Sequence, residues 1–210
     1  MFSLTTQLSV LTTIKALDQQ ILLAINHAHT PALDALMIFA SNRLVWFPAY
    51  AVLLGWLIYL FRRHAWLLVA LLFATVGLAD SITSRIFKPF FARPRPCHDG
   101  PLVGLLHLPD GCGGQFGFLS SHAANSMALA VFLALVLPAG RFQPLKWGVA
   151  AWALLLSYSR VYLAAHYPFD VLGGAIIGAL LAWLAATLFR IWGVGPPGSG
   201  ADGSRPQNSI

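Results

Sequence analysis

The sequence predicts an all-α fold, an integral membrane helical bundle of five to six transmembrane helices with N-terminal interfacial helices. Three observations predict it. Only 10% of the 210 residues are charged and 58% are hydrophobic, whereas about 25% of a soluble domain is charged. All seven acids are Asp, so the Glu–Lys pairs that solubilise exposed helices are missing. Apolar runs recur at the roughly 20 residues needed to cross a hydrocarbon core of about 30 Å.

The first 40 residues come before any clean run. The stretch "ALDQQILLAINHAHTPALDALMIFA" is apolar at helical spacing but interrupted by Asp18, Asn26, His27, His29, Pro31 and Asp34. That pattern predicts interfacial helices over 1–40, broken near Pro31 and lying on the membrane surface. A sixth span over part of 4–40 is the alternative. Five runs follow, at about 44–61, 65–84, 119–138, 147–163 and 171–192. Residues 41–193 thus form the bundle of a single domain over 1–193, and the Pro-, Gly- and Ser-rich residues 194–210 read as a disordered tail. Charged, apolar and small-residue regions do not occur in the order of a cleaved signal peptide. The net charge of +6 is scattered among apolar runs; with no basic stripe, nucleic acid is not expected as a partner.

Alternating spans sort the loops into two sides. Arg62, Arg63, His64, Arg141 and Lys146 fall on one; residues 85–118 and 160–170, with Arg43, fall on the other. A raw count of Lys and Arg does not choose between them, because Lys88, Arg93, Arg95 and Arg160 load the second side equally. If those four serve chemistry, the first side is cytoplasmic. The two cysteines, Cys97 and Cys112, both lie in the second-side loop, which suits a disulfide in an oxidising compartment, two free thiols being the alternative.

The second side carries three polar clusters at junctions of loop and span: "KPFFARPRP" (88–96), "LSSH" (119–122) and "SRVYLAAHYPFD" (159–170). Packed as a bundle, the junctions can converge on one pocket. Lys88, Arg95 and Arg160 supply cations suited to phosphate oxygens. The helix opening near Ser120 can aim free N–H groups and its positive dipole end at the same anion. His166 and Asp170 stand four apart, within reach for the carboxylate to fix the imidazole tautomer and leave the other nitrogen as nucleophile. His122 could protonate a departing oxygen. No metal or cofactor is needed for transfer to histidine and hydrolysis.

The patterns KxxxxxxRP at Lys88 to Pro96, a near match to PSGH at Leu119 to His122, and SRxxxxxHxxxD at Ser159 to Asp170 resemble the type 2 phosphatidic acid phosphatase family. The resemblance covers roughly residues 40–190 and implies a metal-independent phosphohydrolase of lipid phosphates. It makes His166 the nucleophile, Asp170 its orienting partner and His122 the general acid. Lys88, Arg95 and Arg160 hold the phosphate, with hydrogen bonds from Ser120 and Ser121. Leu119 stands where the family has Pro and Ser121 where it has Gly, so the backbone approach at Ser121 differs. The wording around "GGQFGFLSSHAANSMALA" resembles bacterial envelope members. That implies a multi-pass protein of the bacterial inner membrane, its site facing the periplasm or outside. The substrate would be a lipid phosphate or diphosphate of the undecaprenyl pyrophosphate or phosphatidylglycerol phosphate type. A lipid phosphotransferase using the same histidine, a non-catalytic lipid-binding protein and a vanadate haloperoxidase are the rival readings; the spans argue against the last.

Other polar or small residues have plainer readings. Asp80 is expected to satisfy a buried partner. His98, Asp99, His107 and Asp110 lack paired metal-ligand spacing and read as solvated loop residues. The GxxxG spacing of Gly174 and Gly178, beside Gly173, signals close helix contact. The tryptophans fit interfacial belts or core packing.

Overall fold

The computed structural model describes residues 4–192; the expected tail at 194–210 lies outside them. The apolar runs form helices because only a helix satisfies the backbone of a single segment from within itself in lipid. In order these are α1 (Leu4–His27), α2 (Pro31–Ser41), α3 (Phe47–Phe61), α4 (Ala65–Ser81), a π-helical turn (Ile82–Phe87), α5 (Lys88–Phe91), α6 (Ser121–Val136), α7 (Gln143–Tyr162) and α8 (Pro168–Ile191). Among the described residues there is no strand, only an isolated antiparallel bridge between Pro94 and Phe116.

The five expected runs appear as α3, α4, α6, α7 and α8. By length and composition alone, Arg43–Phe91 and Pro168–Ile191 are apolar enough to cross a membrane, and α1 with α2 would make a third span if the bent pair counts as one. Arg43–Phe91 is helical almost throughout but folds back at Arg62, whose φ is +46°. Its two arms line one cavity, through Phe47, Tyr50 and Leu57 on α3 and Leu72, Val76 and Asp80 on α4.

Helices α6 and α8 form the centre. Gly174 and Gly178 of α8 lie against the backbone of α6: an added Cβ would fall 2.4 Å from the Ser120 carbonyl oxygen and 2.0 Å from that of Ala124. The expected close helix contact is therefore present, and its reason is backbone-to-backbone approach. Around it Leu57, Phe61, Leu68, Phe132, Leu133, Ala182 and Phe189 make the main apolar core. At that end, the Lys146 ammonium donates to the carbonyls of Ala134, Leu137 and Pro138, closing the C-terminus of α6. Phe61 meets Phe189 edge-on, so the 62–64 turn and the ends of α6 and α8 share one face.

Helix α1 lies across the opposite, loop-bearing face. From Lys15 to His27 its contacts all go to that side: Lys15 and Gln19 to Asp99, Asp18 to Arg93, Asn26 to His107 and Tyr162, His27 to Leu105. Val10, Leu11, Ile14 and Leu17 stay exposed. The chain then bends by 117° into α2, where Thr30 caps the new helix by accepting from the Leu33 N–H and Pro31 takes its first position.

Candidate active site

The three junction clusters meet at one end of a cavity of about 670 Å³. Lys88, Arg95, Ser121, His122 and His166 line that end; Leu53, Leu54, Leu129 and Leu156 line the rest. One wall is thus cationic and hydrogen-bonding, and the remainder is mostly apolar, with Arg43, Asp80, Asn125 and Ser126 set into it.

The spacing from Arg160 to His166 follows from how α7 ends. Ala164 takes a left-handed conformation, φ +50°, in place of the usual Gly. The amides of Ala165 and His166 then fold back onto the Arg160 carbonyl at 3.0 and 3.1 Å. This closing turn sets His166 beside the Arg160 backbone. The Arg160 side chain is buried behind the cavity wall and donates to Ser41 Oγ of α2. Burial, with the charges of Arg160, Arg95 and Lys88, holds the His166 imidazole well below the ordinary histidine pKa.

Asp170 sits in the first turn of α8, where its Oδ2 accepts the Tyr167 N–H at 3.1 Å. Its Oδ1 accepts from Arg93 at 2.6 Å. His166 Nδ1 lies 3.9 Å from Asp170 Oδ2, beyond hydrogen-bond range, and is buried without a hydrogen-bond partner. The expected imidazole–carboxylate hydrogen bond is therefore not formed in this structure, because the carboxylate oxygens serve a helix cap and a guanidinium.

The two serines part company. Ser120 is fully buried, accepts the Ala123 N–H as the cap of α6 and does not line the cavity. A phosphate contact from its hydroxyl, expected from the sequence, is corrected to a structural role. Ser121 does line the cavity, and its hydroxyl lies 2.9 Å from Thr83 Oγ1 and Ser84 Oγ and 3.4 Å from Lys88 Nζ. The π-helical turn at Ile82–Phe87 brings those three residues to it, a local rephasing typical of functional sites.

Arg95 comes from a short antiparallel pairing, with Arg95 N–H donating to Gln115 and Gly117 N–H to Arg93. Gly113 and Gly117 lie against it: a Cβ at the first would come 2.2 Å from the Arg95 guanidinium and turn it aside, and one at the second would come 3.2 Å from Arg95 Cγ and Asp170 Oδ2. Cys97 and Cys112 are joined by a disulfide that closes the loop between.

Several loop residues read as solvated are fastened instead. Asp99 accepts from the Tyr167 hydroxyl at 2.6 Å. His107 pairs with Asp34 at 2.9 Å and stacks on His29. His98, though exposed, contacts the Gly113 carbonyl, and Asp110 stays exposed as expected. Asp80, expected to be buried with a partner, is exposed to the cavity.

Sequence reasoning gave no site role to Asp18, Thr83, Ser84 or Arg43, and it grouped Arg93 with the chemical cations without foreseeing its partners. Arg93 bridges Asp170 and Asp18, while Asp18 Oδ1 also accepts the Phe169 N–H at 2.9 Å. Asp18 carried one usable signal, a lone carboxylate in an apolar helix. Arg43 lines the cavity from the turn between α2 and α3.

Comparison with known proteins gives a consistent result. The PAP2 superfamily profile matches residues 63–193. The chain is 37% identical over 171 residues to a lipid A 4'-phosphatase of Bacteroides thetaiotaomicron, covering 80% of this chain and 75% of that protein. It is 25% identical to the undecaprenyl-diphosphatase BcrC of Bacillus subtilis, over 74% of this chain and 75% of the relative. The crystal structure of Aquifex aeolicus LpxE superimposes with a TM-score of 0.64 at 27% identity, covering 81% of this chain and 95% of that one.

Proposed function

The chain belongs to the PAP2 superfamily, and from that premise we propose a metal-independent lipid phosphatase working through a phosphohistidine. It is a phosphoric ester hydrolase acting on lipid phosphates, as its relatives are named. The observation that carries the mechanism is that His122 and His166, on different junctions, line one cavity wall together with Lys88 and Arg95.

In this reading Lys88 and Arg95 hold the phosphoryl oxygens, with the Ser121 hydroxyl, while Arg160, expected from the sequence to touch the phosphate, adds only its charge from behind the wall. His166, neutral because of its surroundings, attacks phosphorus through Nε2 while its Nδ1 keeps the proton beside Asp170. The bond from phosphorus to the lipid oxygen breaks, and His122 gives that oxygen its proton. Water then attacks the phosphohistidine and returns a proton to His122. The P–N bond breaks, and inorganic phosphate leaves with free imidazole. The substrate is a membrane lipid phosphate or diphosphate, of the phosphatidylglycerol phosphate, undecaprenyl pyrophosphate or lipid A 4'-phosphate kind. Its tail occupies the apolar part of the cavity.

Five helices, α3, α4, α6, α7 and α8, cross the bilayer in this reading. Helices α1 and α2 lie at the interface above the site, where the exposed apolar residues of α1 meet lipid. The Cys97–Cys112 disulfide supports a bacterial inner-membrane location with the site on the oxidising, outer side.

Purified protein in detergent with chelator releases phosphate from these lipids. His166→Ala abolishes release and the acid-labile, base-stable phosphoenzyme. Release unchanged in that variant would remove the proposed nucleophile.

A further inference from the structure

The cavity contains a carboxylate that phosphate chemistry does not require. Asp80 lines it from α4, on the same wall as Ser84 and Lys88. The Lys88 ammonium feels the charge of Asp80 along this wall but forms no ion pair with it. Among the described residues no ion pair or side-chain hydrogen bond engages the Asp80 carboxylate. It is nevertheless exposed to the cavity, next to Phe73 and Val76.

A carboxylate at that depth in an apolar setting is costly unless it meets a donor. It repels a phosphoryl group, so its partner is another part of the substrate. Asn125 and Leu129 follow His122 along α6 and line the cavity that Asp80 faces from α4. The Asn125 side-chain oxygen has no hydrogen-bond partner in the protein, so a second polar group borders that cavity.

We propose that Asp80 is a specificity residue that accepts hydrogen bonds from hydroxyl or amide N–H groups on the leaving group. Preferred substrates are then phosphate esters of lipids whose head carries such donors, a glycerol hydroxyl or an N-acylated sugar. A plain polyprenyl chain offers no donor and would leave the carboxylate desolvated against hydrocarbon, which disfavours it. The proposal rests on the lipid phosphatase reading and narrows its substrate class.

The test compares phosphate release by the full chain in detergent from three lipids: phosphatidylglycerol phosphate, a 4'-phosphorylated acylated glucosamine disaccharide, and undecaprenyl phosphate. The first two separate the two sources of donor. Wild-type protein is expected to favour at least one of them over the prenyl lipid about ten-fold or more in kcat/KM. Asp80→Leu should reduce that ratio about ten-fold or more, as loss of a charged hydrogen bond does, and Asp80→Asn, which keeps the shape and an acceptor, should reduce it less. A wild-type preference for undecaprenyl phosphate would overturn the proposal. So would an equal loss on all three lipids in both variants, which marks a structural role.

No release from any lipid by wild-type protein would defeat the phosphatase reading separately. Native mass spectrometry of the same lipids then decides the proposal. Retention of a donor-bearing lipid over undecaprenyl phosphate, lost in Asp80→Leu, supports it, and equal retention overturns it.

Discussion

Arg93 donates to Asp170 across 2.6 Å, and the same guanidinium reaches Asp18 at 2.6 Å. One cation thereby ties the first turn of α8 to α1, an element outside the part of the chain that matches the family profile. Its ring contact with Tyr167, 4.0 Å from guanidinium carbon to centroid, keeps the fork in place.

Arg93→Ala should therefore be among the most damaging single changes outside the cavity. Asp18 and Asp170 are 1% and 0% exposed, and removing their shared partner leaves buried charge uncompensated, a loss of about 3–5 kcal/mol. Thermal unfolding in detergent should show a large drop in Tm, with phosphate release falling in parallel. Arg93→Lys should recover only part, since a single ammonium cannot present a fork to two carboxylates.

Gly178→Ala should destabilise the protein by about 1–3 kcal/mol, because the new methyl meets the Ala124 carbonyl at 2.0 Å and the helices must part. Gly173→Ala is the informative contrast. There the new atom meets only the end of the Leu119 side chain, which can swing away. Equal Tm losses for the two would argue against backbone approach as the reason for the glycines.

Ser120→Ala and Ser121→Ala should separate on different axes. The first removes a helix cap and lowers stability by about 1 kcal/mol. The second removes the hydroxyl facing Thr83, Ser84 and Lys88 and should lower kcat/KM about ten-fold, the loss expected for a hydrogen bond to a charged group. Unfolding curves and steady-state kinetics on both variants check the split.

The depressed pKa of His166 fixes the sign of a pH effect. In the unfolded chain the ring takes up a proton near pH 6.5; in the fold it stays neutral there. Below about 6.5 the unfolded state therefore binds more protons, so stability is full above that pH and declines as pH falls through it. His166→Gln should flatten this decline in Tm measured between about pH 5.5 and 7.5. A wild-type and variant pair with parallel Tm profiles would contradict the buried, neutral imidazole.

The all-helical class, the apolar runs and the gathering of Lys88, Arg95, His122 and His166 were legible in the amino-acid order. Hydrophobic length and the avoidance of buried charge are local properties, and a polar residue at the end of an apolar run stands out without knowledge of its neighbours. What each polar atom meets was not legible there and depends on the packing of the helices. Asp170 was legible as a partner for His166 by its spacing of four, yet its oxygens go to Arg93 and the Tyr167 amide. Ser120 and Ser121 look alike in sequence, but the start of α6 buries one and opens the other to the cavity. Asp18 and Arg93 are 75 residues apart, and Asp80 read as a buried charge until α3 folded back to make the cavity it faces. Hydrogen bonds act over about 3 Å, so their pairings depend on how distant helices pack, which periodicity along one helix does not encode.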